Sequence, residues 1–230
     1  MGKPLLVLAS NSPRRRELLA LGGWNFDTLP AEVDENQRPG EEPGAYVLRL
    51  AESKARSCAT SPKNRGRMSA HEDLAILAAD TAVVDGKTIL GKPKDDAEAV
   101  EMLRRLRSRT HQVYTGIAVM RMSDGNLGKD LCVSDVLMRN YSEEEIDSYV
   151  ATGDPLDKAG AYAIQHPRFH PVEKMSGCYA SVMGLPLCHL TRTLRQFAIA
   201  PRTNLPAECQ SSLNYTCPIS ASVLRGEQVG

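Results

Sequence analysis

An α/β fold with a mixed sheet is what this sequence predicts, from three observations. Apolar runs of strand length alternate with amphipathic helical segments along the chain, and such interleaving builds packed α/β layers. Two long strand-like stretches, His111 to Met122 and about Leu131 to Arg139, are joined by the turn "SDGN", which adds an antiparallel pair. With 230 residues, 42% of them hydrophobic, the chain can bury one domain, or one domain in two lobes.

The elements follow in order. Leu5 to Ala9 reads as a buried strand. Ser12 is placed to cap a helix with Pro13 at its first position. Leu18, Leu19 and Leu21 give that helix an apolar face, and Gly22-Gly23 ends it. Phe26 to Pro30 is a short strand, followed by the acidic loop "AEVDENQRPGEEPG". The next helix spans Glu42 to about Ala59, with Val47, Leu50 and Ala51 inward, and "SPKNRGRMSAHED" reads as a polar surface loop. The apolar run "LAILAA" is a central strand with Asp80 at its C-terminal end. "TAVVDGKTIL" carries a hairpin signal that turns at Asp85-Gly86. Asp95 with Glu98, and Ser142 with Glu145, have capping-box spacing. The first pair opens a helix burying Val100, Leu103 and Leu106, and the second a helix ending near Gly153. "AGAYAIQ" reads as a strand. "GLPLCHLTRTLRQF" reads as a last amphipathic helix, with Leu187, Leu190, Leu194 and Phe197 in phase. Residues 1–199 thus form the expected domain. From about Ala200 the period fades, so 200–230 is expected to be an irregular, peripheral tail.

Bulk properties narrow the function. Lys+Arg and Asp+Glu are both 28, a balance unlike that of a general nucleic-acid or membrane-surface binder. A local positive site stays open. The six cysteines form no CxxC pair and read as reduced thiols, not a disulfide framework or zinc site. No apolar run approaches the ~20 residues of a membrane span, and the N-terminus lacks a signal-peptide pattern. A cytoplasmic protein is expected.

Several polar residues fall where periodicity does not ask for them. Arg14, Arg15 and Arg16 occupy the first turn of a helix, where the dipole favours anions over cations. Solvated surface arginines are one explanation. The other is a polyanion between them, since a helix N-terminus with arginine forks and the hydroxyls of Ser10 and Ser12 makes a phosphate cradle. It is not a P-loop, because GxxxxGK[ST] is absent. Asp80 follows six apolar residues and serves as a loop cap, a general base or a metal ligand. Lys54, seven residues after Val47, falls on the apolar face of its helix, as a snorkelling lysine or as an ammonium aimed into a cleft. Lys92 is held between Gly91 and Pro93. Asp34 and Glu35 are either solvated or, beside phosphates, able to hold Mg²⁺. Gln165 is an ordinary edge glutamine or a reader of a base edge. His166 and His170 are four apart, but Pro167 and Pro171 oppose the helix that would align them on zinc. Trp24 reads as a core anchor.

The stretches "LASNSPRRRELL", "VDE", "YVLRLAESKA", "AADTAVV", "ILGKPKD", "RTHQVYTGIAV", "YVATGDPLDKAGAYAIQ" and "MGLPL" occur in one order from about Leu5 to Leu194. In this the chain resembles the Maf family of nucleoside triphosphate pyrophosphatases. The resemblance implies a two-lobed fold with a twisted mixed β-sheet flanked by helices and a central cleft. It implies hydrolysis of a nucleoside triphosphate to the monophosphate and pyrophosphate with a divalent cation, Mg²⁺ or Mn²⁺, and a homodimer. By motif, Asp80 becomes the proton acceptor, Ser10, Arg14 and Arg15 hold phosphates, and Glu35, Lys54 and Lys92 complete the charged site. Glu35 and Asp80 are the implied metal ligands, and Arg14, Thr81 and Gln165 bear on substrate choice. The "AGAYAIQ" form resembles the branch acting on dTTP and UTP, and Gln165 argues against 7-methyl-GTP. After Gln165 the chain departs from the family's glycine-rich continuation with "HPRFHPVEKMSGCYASVMGLP", whose His166 and Pro167 cannot adopt glycine's backbone angles. A nucleotide-binding regulator of septum formation, with weak or no catalysis, is the competing reading. The intact Asp80, Lys54 and Lys92 set counts against it.

Overall fold

The structure is a computed structural model that describes residues 5–68 and 74–230. Its strands are β1 (Leu5–Leu8), β2 (Phe26–Thr28), β3 (Leu74–Asp85), β4 (Thr88–Leu90), β5 (Thr110–Arg121), β6 (Leu127–Met138) and β7 (Val172–Ser176). The helices are α1 (Pro13–Ala20), α2 (Pro43–Thr60), α3 (Pro62–Met68), α4 (Asp96–Leu106), α5 (Glu143–Val150), α6 (Tyr179–Val182), α7 (Leu187–Arg195), α8 (Leu205–Leu213) and α9 (Ser220–Leu224). The strands form one mixed sheet in the order β2-β1-β3-β5-β6-β7, with β4 paired to the far end of β3. β1 runs parallel to β2 and β3, and the remaining pairs are antiparallel. Among the described residues no helix is long and apolar enough to cross a membrane.

Strand alternation sets the two faces of the sheet. Ala75, Leu77 and Ala79 pack with Leu18, Leu19, Leu190 and Leu194 of α1 and α7. Ile76 and Ala78 pack with Ala51, Ala55 and Cys58 of α2. Farther along, Val83 joins a second core with α4 and α5, while Ala82 and Val84 meet Val47 of α2. The long strands β3, β5 and β6 therefore pass through both lobes. Gly116 lies opposite Asp80 in the register. A Cβ there would come within 2.7 Å of the Val47 backbone, so glycine lets α2 lie directly on the sheet.

The edge of β3 contains the feature that positions the site. Pairing with β1 ends at Leu8 opposite Leu77, and pairing with β4 starts at Val83 opposite Leu90. Between them, residues 78–82 have no strand neighbour on that side, leaving roughly 16 Å of open edge. Asp80 is at the centre of this notch.

Several expectations are corrected. Asp80 does not end its strand; it lies midway along the 12 residues of β3, because the strand continues as the outer arm of the hairpin. "AGAYAIQ" is not a strand. Ala159–Ala161 form a 3-10 turn in which Gly160 and Ala161 have φ of 69° and 60°, a left-handed backbone that a strand cannot hold. The Gly160 N–H instead donates to Gly91 O at 3.0 Å. Residues 62–68, expected in a loop, form α3, anchored by Asn64, whose Nδ2 donates to Pro30 O and Cys58 O. Residues 69–73 of the same stretch lie outside the described residues. Past Ala200 the chain forms α8 and α9, with Leu205 and Val223 buried.

Other local readings agree with the structure. The Ser12 hydroxyl accepts from Arg15 N, Gly23 has φ of 67°, and Ser142 and Glu145 form the full reciprocal capping box. At α4 only half the box is made. Asp95 accepts from Glu98 N, but the Glu98 carboxylate accepts from Lys94 N. Trp24 is buried and its Nε1 donates to Ala200 O at 3.0 Å. The thiols are free.

Candidate active site

A cleft opens at the notch, lined by Arg14, Arg15, Glu35, Lys54, Asp80, Thr81, Lys92 and Gln165 together with others. Because Asp80 and Thr81 are consecutive in β3, their side chains leave the strand on opposite faces. The open edge lets one cleft reach both.

On the α2 face, Lys54 Nζ lies 2.6 Å from Asp80 Oδ1 and 2.6 Å from Glu35 Oε1. Lys54 follows Leu50 and Ala51 on the buried side of α2, so its stem crosses apolar surface and its ammonium emerges in the notch. The two carboxylates share this partner but differ in burial: the Asp80 side chain is 9% exposed and that of Glu35 52%. Their pKa values therefore separate. Burial raises that of Asp80 despite the opposing charges of Lys54 and Arg15. For Glu35, burial also pushes upward, but the Lys54 hydrogen bond, with the charges of Lys54, Lys92 and Arg15, wins and lowers it. Two nearby carboxylates moved in opposite directions form an arrangement suited to acid–base work.

On the α1 face, Arg15 is fixed by protein contacts. Its Nε donates to Gly184 O at 2.9 Å, and its terminal nitrogens reach Ser10 Oγ at 3.5 Å and Thr81 Oγ1 at 3.4 Å. Burial lowers its pKa, with the Asp80 charge opposing. Gly184 has φ of 106° and would place a Cβ 3.1 Å from Arg15 Nε, so it must be small for the arginine to dock. Thr81 Oγ1 also pairs with Thr115 Oγ1 at 3.0 Å, and Thr115 donates to Ser181 O. Ser10 is buried one layer behind the cleft, accepting from Ser12 N at 3.1 Å. Of the three arginines, Arg14 and Arg15 line the cleft, while Arg16 is exposed outside it. Gln165 lines the cleft and is exposed at its rim.

Some cleft residues have no sequence signal of their own. The Tyr46 hydroxyl donates to Glu35 O at 2.9 Å and steadies the Glu35 loop; burial and the charges of Asp80 and Glu35 push its pKa up to about 12. Asp157 and Lys158 line the far wall. They lie within "GDPLDK", where charged residues next to Gly and Pro look like an ordinary loop. Across the wall the cations Arg14, Arg15, Lys54, Lys92 and Lys158 outnumber the carboxylates Glu35, Asp80 and Asp157, which gives an anion-attracting field.

Among the described residues, no group of three or more His, Cys, Asp or Glu is arranged to hold a metal. Glu35 and Asp80 remain a two-carboxylate set. Mg²⁺ uses one or two carboxylates and takes its other ligands from phosphates and water, so these residues fit such an ion together with a polyphosphate. His166 and His170 form no metal site. His166 Nδ1 accepts from Phe169 N at 2.9 Å, and its ring packs on Tyr149 at 4.7 Å. Of the stretch directly after Gln165, Phe169 is buried and stacks on Tyr149, while Pro167, Arg168 and His170 are exposed.

Comparison with known proteins agrees with this geometry. The family model described as "Maf-like protein" matches residues 5–197. A dTTP/UTP pyrophosphatase of Geobacter sulfurreducens is 46% identical over 197 residues, covering 85% of this chain and 98% of the relative. Proteins of the same name from Anaeromyxobacter dehalogenans and Hahella chejuensis are 45% and 43% identical over 196 and 198 residues, covering 84% and 86% of this chain and 94% of each relative. A match of this extent, on a cleft built from the same stretches that carry the resemblance, means that the chain belongs to the Maf-like protein family.

Proposed function

We propose that this chain is a nucleoside triphosphate pyrophosphatase acting on dTTP and UTP, releasing the monophosphate and pyrophosphate. The observation that carries the reading is the buried Asp80 carboxylate, joined to Lys54 in the notch of a cation-rich cleft. Relatives at 43–46% identity that bear the name dTTP/UTP pyrophosphatase support the substrate class.

In this reading water attacks the α-phosphorus and pyrophosphate leaves. Asp80 orients the water and accepts its proton, which its raised pKa favours. Arg14, Arg15 and Lys92 hold the phosphates, with Ser10 acting through Arg15. Lys54 and these cations offset the charge that develops on the leaving group. Glu35 and Asp80 would hold a divalent cation, Mg²⁺ or Mn²⁺, which supplies Lewis-acid neutralisation of phosphate oxygens. Thr81 and Gln165 both line the cleft and bear on base and sugar choice, Gln165 by offering both a donor and an acceptor to a pyrimidine edge.

The test is pyrophosphate release from dTTP, UTP, CTP, their 5-methyl and pseudouridine forms, and 7-methyl-GTP, with Mg²⁺ or Mn²⁺. Turnover of dTTP and UTP with monophosphate as co-product is expected. Turnover of 7-methyl-GTP alone would overturn the Gln165 assignment, and nucleotide binding without hydrolysis would make the chain a nucleotide-binding regulator.

A further inference from the structure

The family match ends at residue 197, yet the segment beyond it is docked at defined points and brings cysteines to the body. Tyr215 OH donates to Gly177 O at 3.1 Å, and its ring lies 5.5 Å from that of Tyr179. Cys217 N donates to Gln210 Oε1 and Cys178 N to Ser134 Oγ, both at 3.0 Å. The Tyr215 contacts fall at Gly177 and Tyr179, on either side of Cys178, and Cys217 follows Tyr215 by two residues. The Cys217 side chain interacts with that of Cys178, and Cys178 in turn with Cys132. The oxidised form can draw on two pairs. Cys132 is fully buried in β6, whereas Cys217 is partly exposed, so an oxidant reaches Cys217 first.

We infer that Cys178 and Cys217 are a reversible thiol–disulfide pair, which closes on reaction with a low-molecular-weight disulfide such as glutathione disulfide and ties the appended segment to α6 beside the cleft. The Cys217 thiolate attacks one sulfur of the oxidant. That S–S bond breaks, a mixed disulfide forms, and one glutathione thiolate leaves. The Cys178 thiolate then attacks the Cys217 sulfur and expels the second glutathione. The two protein thiols lose two protons and two electrons, and the oxidant becomes two glutathione molecules. The tether ends on the helix whose Ser181 carbonyl accepts from Thr115 and which leads into Gly184, the carbonyl partner of Arg15.

The local chemistry sets the rate. The Cys217 pKa is raised, first by its interaction with Cys178 and then by burial. That of Cys178 is raised first by its interaction with Cys132, while that with Cys217 opposes. Thiolate is scarce at neutral pH, so closure is slow and speeds up with pH.

The full chain is incubated with glutathione disulfide at pH 7 and pH 9, then digested without reductant and mapped by fragmentation mass spectrometry. The expected product is a Cys178–Cys217 linkage, formed several-fold faster at pH 9. It should be absent in Cys217→Ser and retained in Cys209→Ser. Oxidised wild type should melt roughly 5 °C higher, and dithiothreitol should reverse the shift. Protease-nicked fragments of the appended segment should stay attached until reductant is added. A Cys132–Cys178 linkage, glutathione adducts without a cross-link, or an unreacted chain would each overturn the assignment.

Discussion

Lys54 and Lys158 line the same cleft, and each lies between two carboxylates. Their surroundings differ in one respect that separates a ligand-facing cation from a structural one. Lys158 Nζ donates to Asp154 O at 2.7 Å, Asp154 Oδ1 at 2.9 Å and Asp157 Oδ1 at 2.6 Å. An ammonium has three N–H groups, and all three are used, within five residues of chain. Lys54 reaches Asp80 from β3 and Glu35 from the loop before α2, and its third N–H meets no acceptor among the described residues. A cation whose bonds are closed locally holds a turn. One that joins distant elements and keeps a donor in reserve fits the role proposed for Lys54, facing a substrate oxygen.

Three experiments test that contrast, and a fourth tests the burial of His111. Asp80→Asn should lower kcat by about 10⁴-fold while nucleotide binding, read by calorimetry, persists. Because burial disfavours the charged carboxylate, the variant should melt no lower than wild type. The acid limb of the wild-type pH–rate profile should fall above the usual carboxylate pKa of about 4. Wild-type turnover in Asp80→Asn would remove Asp80 as the base. Lys54→Met should reduce kcat/KM by about 10³-fold and leave the melting temperature nearly unchanged. If it mainly destabilises the fold, the two lysines are alike and the contrast is lost.

The next prediction concerns the second lobe, where His111 is buried with Nε2 2.8 Å from Tyr162 OH. Burial pushes its pKa down to about 4, below the ordinary 6.5. The unfolded chain therefore binds the extra proton first. This stability is present above pH 6.5 and is lost as pH falls through about 4, a change of about 3 kcal/mol. Urea unfolding of wild type and His111→Gln across that window should diverge in slope; parallel curves would refute the assignment. Smallest is Lys158→Met, expected to cost about 2 kcal/mol of stability with kcat within a few-fold of wild type. A collapse of turnover without loss of stability would instead place Lys158 among the substrate contacts.

What could be read from the sequence was mostly local chemistry. Ser12-Pro13, Ser142 with Glu145, and the Asp85-Gly86 turn are decided within a few residues, and all three formed. Asp80 and Lys54 stood out because each breaks an apolar pattern, and the structure brings them to 2.6 Å. The position of Asp80 was misread for a non-local reason. What ends beside it is the neighbouring strand β1, not β3 itself. "AGAYAIQ" has strand composition, but its backbone is turned at Gly160 and Ala161 by contact with the 91 loop. Tyr46 gave no signal because its partner Glu35 lies in an irregular loop, and Lys158 gave none because its partners, Asp154 and Asp157, sit in a short 3-10 turn that no apolar period marks. α8 and α9 bury few residues each, so no period survives in the sequence.

The continuous strands have a mechanical consequence. β3, β5 and β6 cross from one lobe to the other without interruption and are bonded to each other over ten or more residue pairs. They act as joined beams beneath the cleft, and a beam has no hinge. Opening the lobes like a clamshell would shear those ladders, so the molecule cannot gate its site by whole-lobe rotation. Any exclusion of water during turnover must come from smaller parts at the rim, such as the Glu35 loop held by Tyr46 and the α6–Gly184 corner held by Arg15. The rate of exchange at this site is then set by loop motion on a rigid floor.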